Sequence, residues 1–117
     1  MSLQKDVVNE YLEGFRTSDH ARVLACLTDD VEWSVHGHYH VVGKEAYDAN
    51  IEDDAFVGSP VITMTDLVEE GDVVMGCGTV EVQRADGTTM RASLGELWGF
   101  RDGRIARRES WVVPVSG

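Results

Sequence analysis

Apolar residues recur along the start of the chain at a four-residue spacing, Leu3, Val7, Tyr11 and Phe15, with Val8 and Leu12 beside them. That is the stripe of an amphipathic helix, which Gly14 weakens without ending. Ser18 or Asp19 supplies an N-cap for a short second helix carrying Val23, Leu24 and Leu27, and Asp29-Asp30 closes it. The period then changes. Val31, Trp33 and Val35 alternate with Glu32, Ser34 and His36, which predicts a half-buried strand. Gly43 precedes a third helix in which Ala46, Tyr47, Ile51 and Ala55 share one side, and Gly58-Ser59-Pro60 breaks it.

From Val61 onward four strand-like runs are separated by Glu70-Gly71-Asp72, Ala85-Asp86-Gly87 and Arg101-Asp102-Gly103. Each turn holds an Asp and a Gly where a tight hairpin needs a left-handed residue, so consecutive strands should pair antiparallel in a meander. Helices followed by a meander define an α+β chain. Three helices cannot cover both faces of such a sheet, so its outer face must carry solvent-compatible residues or meet a second chain. No internal repeat or linker interrupts residues 1–117, and one domain is expected over the whole length.

Composition narrows the function. Ten basic residues against 21 acidic ones give a net charge of −11, which repels phosphate backbones and anionic lipid surfaces. Neither a nucleic-acid nor a membrane partner is expected. No run approaches the roughly 18 apolar residues of a membrane span, and Met1 to Asp6 lacks the basic start and apolar stretch of a secretory signal. The two cysteines, Cys26 and Cys77, form no CxxC motif, which predicts reduced thiols and a cytoplasmic location. Glycine-rich phosphate loops and a GxSxG elbow are absent, so no nucleotide cofactor and no hydrolase-type serine nucleophile is expected.

The run from Thr88 to Arg101 carries the sharpest chemical signal. Met90, Ala92, Leu94, Trp98 and Phe100 share one face, and Glu96 sits among them. A carboxylate there is costly unless paired, hydrogen-bonded or protonated. Burial favours its neutral form, suited to a general acid, whereas a cation opposite favours the carboxylate. A three-residue turn at Arg101-Asp102-Gly103 would set Glu96 opposite Arg108, and a two-residue turn would set it opposite Glu109. Tyr11 is the second candidate, on the inward stripe with a hydroxyl that needs a partner. Trp33, Tyr47, Trp98 and Trp111 suit the wall of a ligand pocket or an ordinary core. Asp66 resembles Glu96 but lies near a turn, where a solvated position is expected. His36, His38 and His40 would share a face on an extended backbone, but Gly37 invites a bend and no fixed fourth ligand accompanies them, so no metal is expected.

The order of elements resembles the nuclear transport factor 2-like superfamily, and within it the small bacterial SnoaL-like and ketosteroid-isomerase-like proteins. The matching stretches are Tyr11-Leu12-Glu13-Gly14-Phe15 with Ser18-Asp19, Leu27 through Trp33, Gly43-Lys44-Glu45-Ala46, Glu70 through Val74, and Leu97 through Ile105. The resemblance implies a cone-shaped barrel, with three N-terminal helices packed on a strongly curved, mainly antiparallel sheet, and a homodimer built on the sheet's outer face. It also implies that Tyr11 falls on the isomerases' oxyanion-hole tyrosine and Glu96 on their protonated aspartic acid; ketosteroid isomerase is itself the standard example of such a neutral donor. Val35 stands where the isomerases keep their general-base aspartate, which leaves three alternatives: a base relocated to His36, His38 or Glu96 itself, a cyclase or hydratase variant of the site, or a pocket that binds without catalysis.

Two readings follow. In the first, Tyr11 and Glu96 donate to a developing enolate oxygen on a small apolar carbonyl compound, with His36 or His38 as base, in an isomerase, cyclase or hydratase reaction. Trp33, Val35, Tyr47, Trp98 and Arg108 then line the pocket. In the second, a non-catalytic dimer binds its ligand with Glu96 and Arg108 anchoring a polar group or each other. If Trp98 and Ala106 face inward, the outer face shows Leu97, Ile105, Trp111 and Val113, a patch suited to a homodimer interface.

Overall fold

The computed structural model describes residues 3–51 and 56–115. Its elements follow in the order α1 (Leu3–Arg16), α2 (His20–Leu24), β1 (Leu27–Val35), β2 (Tyr39–Val42), α3 (Lys44–Ala49), β3 (Phe56–Glu70), β4 (Val73–Arg84), β5 (Thr89–Arg101) and β6 (Arg104–Pro114). The strands form one mixed sheet in the order β2-β1-β6-β5-β4-β3, with β1 parallel to β6 and every other pair antiparallel. The sheet curls into a half-barrel around the helices, as the expected α+β cone requires. Val8, Tyr11, Leu12 and Phe15 of α1 face Val74, Trp98, Phe100 and Ile105 of the sheet across one core.

The curl has a local cause. Gly76 and Gly78 lie on the inner face of β4, opposite Glu96 and Leu94, and β3 folds across them. A Cβ on Gly78 would lie 2.0 Å from the Thr63 carbonyl oxygen, and one on Gly76 2.7 Å from that of Asp66. Only glycine lets the two backbones approach so closely. A register shift between Met64 and Asp66 bends β3 at the same point.

Three boundaries differ from the sequence pattern. Leu27 keeps the helical spacing from Val23, yet α2 ends at Leu24 and Leu27 opens β1, pairing with Ile105 of β6. Sheet pairing with full burial of Leu27 outweighs continuing a five-residue helix. Gly58-Ser59-Pro60 sits inside β3 at a register shift between Val57 and Val61, where Gly58 has φ +74° and the strand is at the sheet's edge. A proline is tolerated in such a place. Finally, Gly37 at φ +82° turns the chain after β1 so that β2 returns beside it, with Val35 opposite Tyr39. Ala55, expected on the inner side of the third helix, lies outside the described residues.

The β5–β6 hairpin follows neither expected register. Asp102 and Gly103 both have positive φ, +53° and +78°, as a two-residue type I′ turn demands. A bulge then leaves Ala106 without an opposite residue, so Phe100 meets Ile105, Trp98 meets Arg108 and Glu96 meets Ser110. The extra residue inverts the side-chain alternation. Ile105 is consequently buried in the core rather than on the outer face, while Arg108 still points inward.

Candidate functional site

Parity along β5 places Glu96 on the inner face between Leu94 and Trp98, and the bulge in β6 brings Arg108 diagonally beside it. Glu96 is 1% exposed and Arg108 5%. Glu96 Oε1 accepts from Arg108 Nε at 2.9 Å, from Arg108 Nη2, and from the Ser110 hydroxyl at 3.0 Å. Ser110 in turn accepts from the Trp33 indole N–H at 3.1 Å. Glu96 is thus one partner of a buried ion pair, and three donors converge on a single oxygen. Its other oxygen, Oε2, is buried without a hydrogen-bond partner among the described residues, as is Trp98 Nε1.

Arg108 is held from both sides. Its Nη1 donates to Tyr11 at 2.5 Å and to Tyr47 at 3.3 Å, and the two tyrosine oxygens are themselves 2.5 Å apart. The guanidinium carbon lies 4.5 Å from the centroid of the Trp33 ring, 5.2 Å from that of Tyr11 and 5.3 Å from that of Phe15. Burial is the largest single influence and disfavours the Arg108 cation, but the Glu96 carboxylate with Tyr11 and Tyr47 together outweigh it and hold the guanidinium well above its ordinary pKa. Burial pushes the Tyr11 hydroxyl well above the usual tyrosine value despite the opposing pull of Arg108, and it raises Tyr47 in the same way.

Above this network opens a cavity of about 900 Å³. Glu96, Arg108 and Ser110 form its polar base, Phe15, Trp33 and Tyr39 an aromatic wall, and aliphatic side chains such as Ile62, Leu94 and Val112 the rest. Of the residues singled out in the sequence, Trp33, Val35, His38, Glu96 and Arg108 line this cavity. Tyr11, Tyr47 and Trp98 do not. Their rings form the layer behind Arg108, where Tyr47 stacks on Trp33 with centroids 4.7 Å apart. The Tyr11 hydroxyl therefore supports Arg108 instead of reaching the cavity.

The histidines separate. His36 stacks on Trp111 at 4.8 Å and meets Glu109 at 3.0 Å, away from the cavity, because it alternates with the inward Val35, and the turn at Gly37 then parts His38 from its face. His40 meets Ser34 at 2.7 Å, and His38 remains at the cavity wall. Among the described residues no group of three or more His, Cys, Asp or Glu is placed to hold a metal ion. Asp66 is exposed near Cys77 and Thr65. Ser110 escaped the sequence reading; its only signal was standing two residues beyond Arg108 on a strand.

Three helices cupped by a curled mixed sheet, with a polar pair at the base of an apolar cone, define the nuclear transport factor 2-like class. A SnoaL-like domain model matches residues 8–108, and the chain belongs to that family. Among solved structures, an NTF2-like protein of unknown function from Burkholderia pseudomallei K96243 is 24% identical over 94% of this chain and 90% of its own, with a TM-score of 0.87. TerC, co-crystallised with polyporic acid, is 24% identical over 93% and 90%, with a TM-score of 0.82. An LEH-like epoxide hydrolase of M. tuberculosis is 17% identical over 94% and 82%, with a TM-score of 0.83. At these identities the likeness establishes the fold. Comparison with curated protein sequences gives no match.

Proposed function

We propose that this protein binds a small, mainly apolar carbonyl compound in its conical cavity and acts on it by acid–base chemistry, with Glu96 as the proton acceptor. The observation that carries the reading is the division of labour within one carboxylate. Oε1 is saturated by Arg108 and Ser110, whereas Oε2 has no hydrogen-bond partner among the described residues, on a side chain that lines the cavity. A carboxylate oxygen without a donor is a proton acceptor. Arg108 fixes the carboxylate, Tyr11 and Tyr47 fix Arg108, and Trp33 contributes both cavity wall and the hydrogen bond that orients Ser110. His38 is the second proton carrier of this reading, at the cavity wall. Structures of related fold bear names that include an epoxide hydrolase, which fits a fold adaptable to several reactions.

The rival reading, ligand binding without turnover, is favoured by the ion pair itself, since a pair so buried also serves simply to shape a pocket. Exchange of the α-hydrogens of 2-tetralone for deuterium, followed by NMR, separates the two. Acid–base catalysis predicts exchange well above the buffer rate, lost in Glu96→Gln while binding persists. Binding without exchange selects the rival, and absence of binding defeats both.

The same proposal includes a homodimer through the sheet's outer face and a cytoplasmic location. Trp111 and Val113 on that face, 38% and 58% exposed, support the first. The two free thiols, Cys26 and Cys77, support the second. Among the described residues no helix is long and apolar enough to cross a membrane.

A further inference from the structure

The cavity changes character along its length. Glu96 and Arg108 are the charged side chains among its described lining residues, and they pair with one another at the base. Outward from them the sheet presents its inner-face side chains in ranks two residues apart. Glu96 stands opposite Ser110, Leu94 opposite Val112, Ala92 between Val80 and Pro114, and Met90 opposite Val82. On β3, Ile62 pairs with Val80, and Pro60 lies two residues further out on the same strand. From Glu96 to Met90 β5 runs six residues, roughly 20 Å. Beyond Glu96, every side chain that β3, β4 and β5 contribute to the cavity wall is apolar. The wall's polar side chains away from the base, Ser18, His38, Tyr39 and Asn50, lie outside these three strands. Val80, Val82 and Met90 face inward yet are only half-buried, because open cavity lies over them. A concave apolar surface left uncovered in this way is a surface for a ligand.

On the reading of the cavity as a ligand site, we infer that the ligand carries an extended aliphatic arm beside the polar group that meets the base, and that this arm lies against β4 and β5 from Leu94 out to Val82 and Met90. Leu94, Val80 and Val82 then mark successive steps of a ruler for chain length. An aliphatic chain asks for no hydrogen bond, which suits a wall of side chains that offer none. A second polar group placed along the arm would lose water without gaining a partner. Aromatic rings stand instead at the base end, where Trp33 and Phe15 flank Arg108 and Tyr39 meets Trp33 edge-on, so flat groups are met there and the sheet wall is left to the chain.

A homologous series of methyl ketones, from 2-pentanone to 2-tridecanone, titrated by calorimetry alongside 2-tetralone, tests the arm. Each added methylene should tighten binding about fourfold until the chain reaches the rim, and further methylenes should then add little. In Val82→Trp that break should come at a shorter chain, and in Val80→Trp, one rank nearer the base, at a shorter one still. The break is read within each variant's own series, so a general loss of affinity leaves it where it was. Affinity independent of chain length in the wild type, or a break that neither tryptophan moves, overturns the inference; binding of 2-tetralone in that case keeps the cavity as a ligand site without the arm. Failure of 2-tetralone and of every ketone to bind overturns both.

Discussion

At the scale of single residues, energetics turn on what remains when one partner of a buried pair is removed. Replacing Glu96 by Leu fills the space but strands the Arg108 guanidinium, which is 5% exposed and keeps only tyrosine oxygens as acceptors. Breaking such a pair costs about 3 to 5 kcal/mol, whereas replacing both members by apolar groups is often neutral. Urea unfolding should therefore show Glu96→Leu destabilised by that amount and Glu96→Leu/Arg108→Leu largely restored. A single variant as stable as the wild type would mean that the carboxylate is kept for function alone. The tyrosines behind Arg108 add a pH dependence. Burial raises the Tyr11 and Tyr47 pKa values in the folded state above the ordinary 10.0. The folded state thus holds those protons more tightly than the unfolded chain does. Their contribution to stability is complete below pH 10 and is lost as the pH climbs from there through the folded values. Melting temperatures measured from pH 8 to 11.5 should fall steeply above 10, and a Tyr11→Phe/Tyr47→Phe variant should show a shallower fall.

At the scale of elements, side-chain alternation within one strand was readable and alignment between strands was not. Leu94, Glu96 and Trp98 declare a common face in any extended backbone, so the inward Glu96 was legible. The diagonal placing of Arg108 depends on a bulge at Ala106, a residue with no conformational signature, and the same bulge buries Ile105. Likewise the helical spacing of Val23 and Leu27 concealed the start of β1, because the strand that claims Leu27 lies nearly eighty residues away. The glycines within the strands proved equally silent. Gly78 and Gly95 sit on adjacent strands and look alike in sequence, yet a Cβ on Gly78 meets backbone at 2.0 Å and one on Gly95 finds its nearest neighbour at 3.7 Å. Gly78→Ala should lose at least about 1 to 3 kcal/mol, because β3 must retreat and open the cone. Gly95→Ala should change stability by less than about 0.5 kcal/mol, or stabilise by restricting the unfolded chain. Paired chemical denaturation of the two variants checks the difference, and equal losses would refute the role assigned to close packing of β3.

At the scale of the whole molecule, the outer face of the sheet sets apolar attraction against like charge. Val68 on β3, Met75 on β4 and Trp111 and Val113 on β6 are exposed on that face, Val68 to 65%. Trp111 lies over Gly95 and carries the His36 ring stacked upon it, so it is already ordered before any partner arrives. Ordered aromatic surface costs little entropy to bury, which makes it a suitable centre for an interface. Against this, two copies that each carry −11 repel one another. The proposed homodimer therefore has a distinctive salt dependence. Screening shortens from a Debye length of about 30 Å at 0.01 M salt to about 8 Å at 0.15 M, so the dimer should tighten as salt rises. An association held by ion pairs across the interface would weaken instead. Analytical ultracentrifugation at micromolar protein should show more monomer at 0.01 M than at 0.15 M salt. Trp111→Asp, which adds a charge at the centre of the patch, should be monomeric at both while retaining its fold by circular dichroism. A wild-type monomer at every salt concentration would remove the dimer and leave the apolar face to another partner.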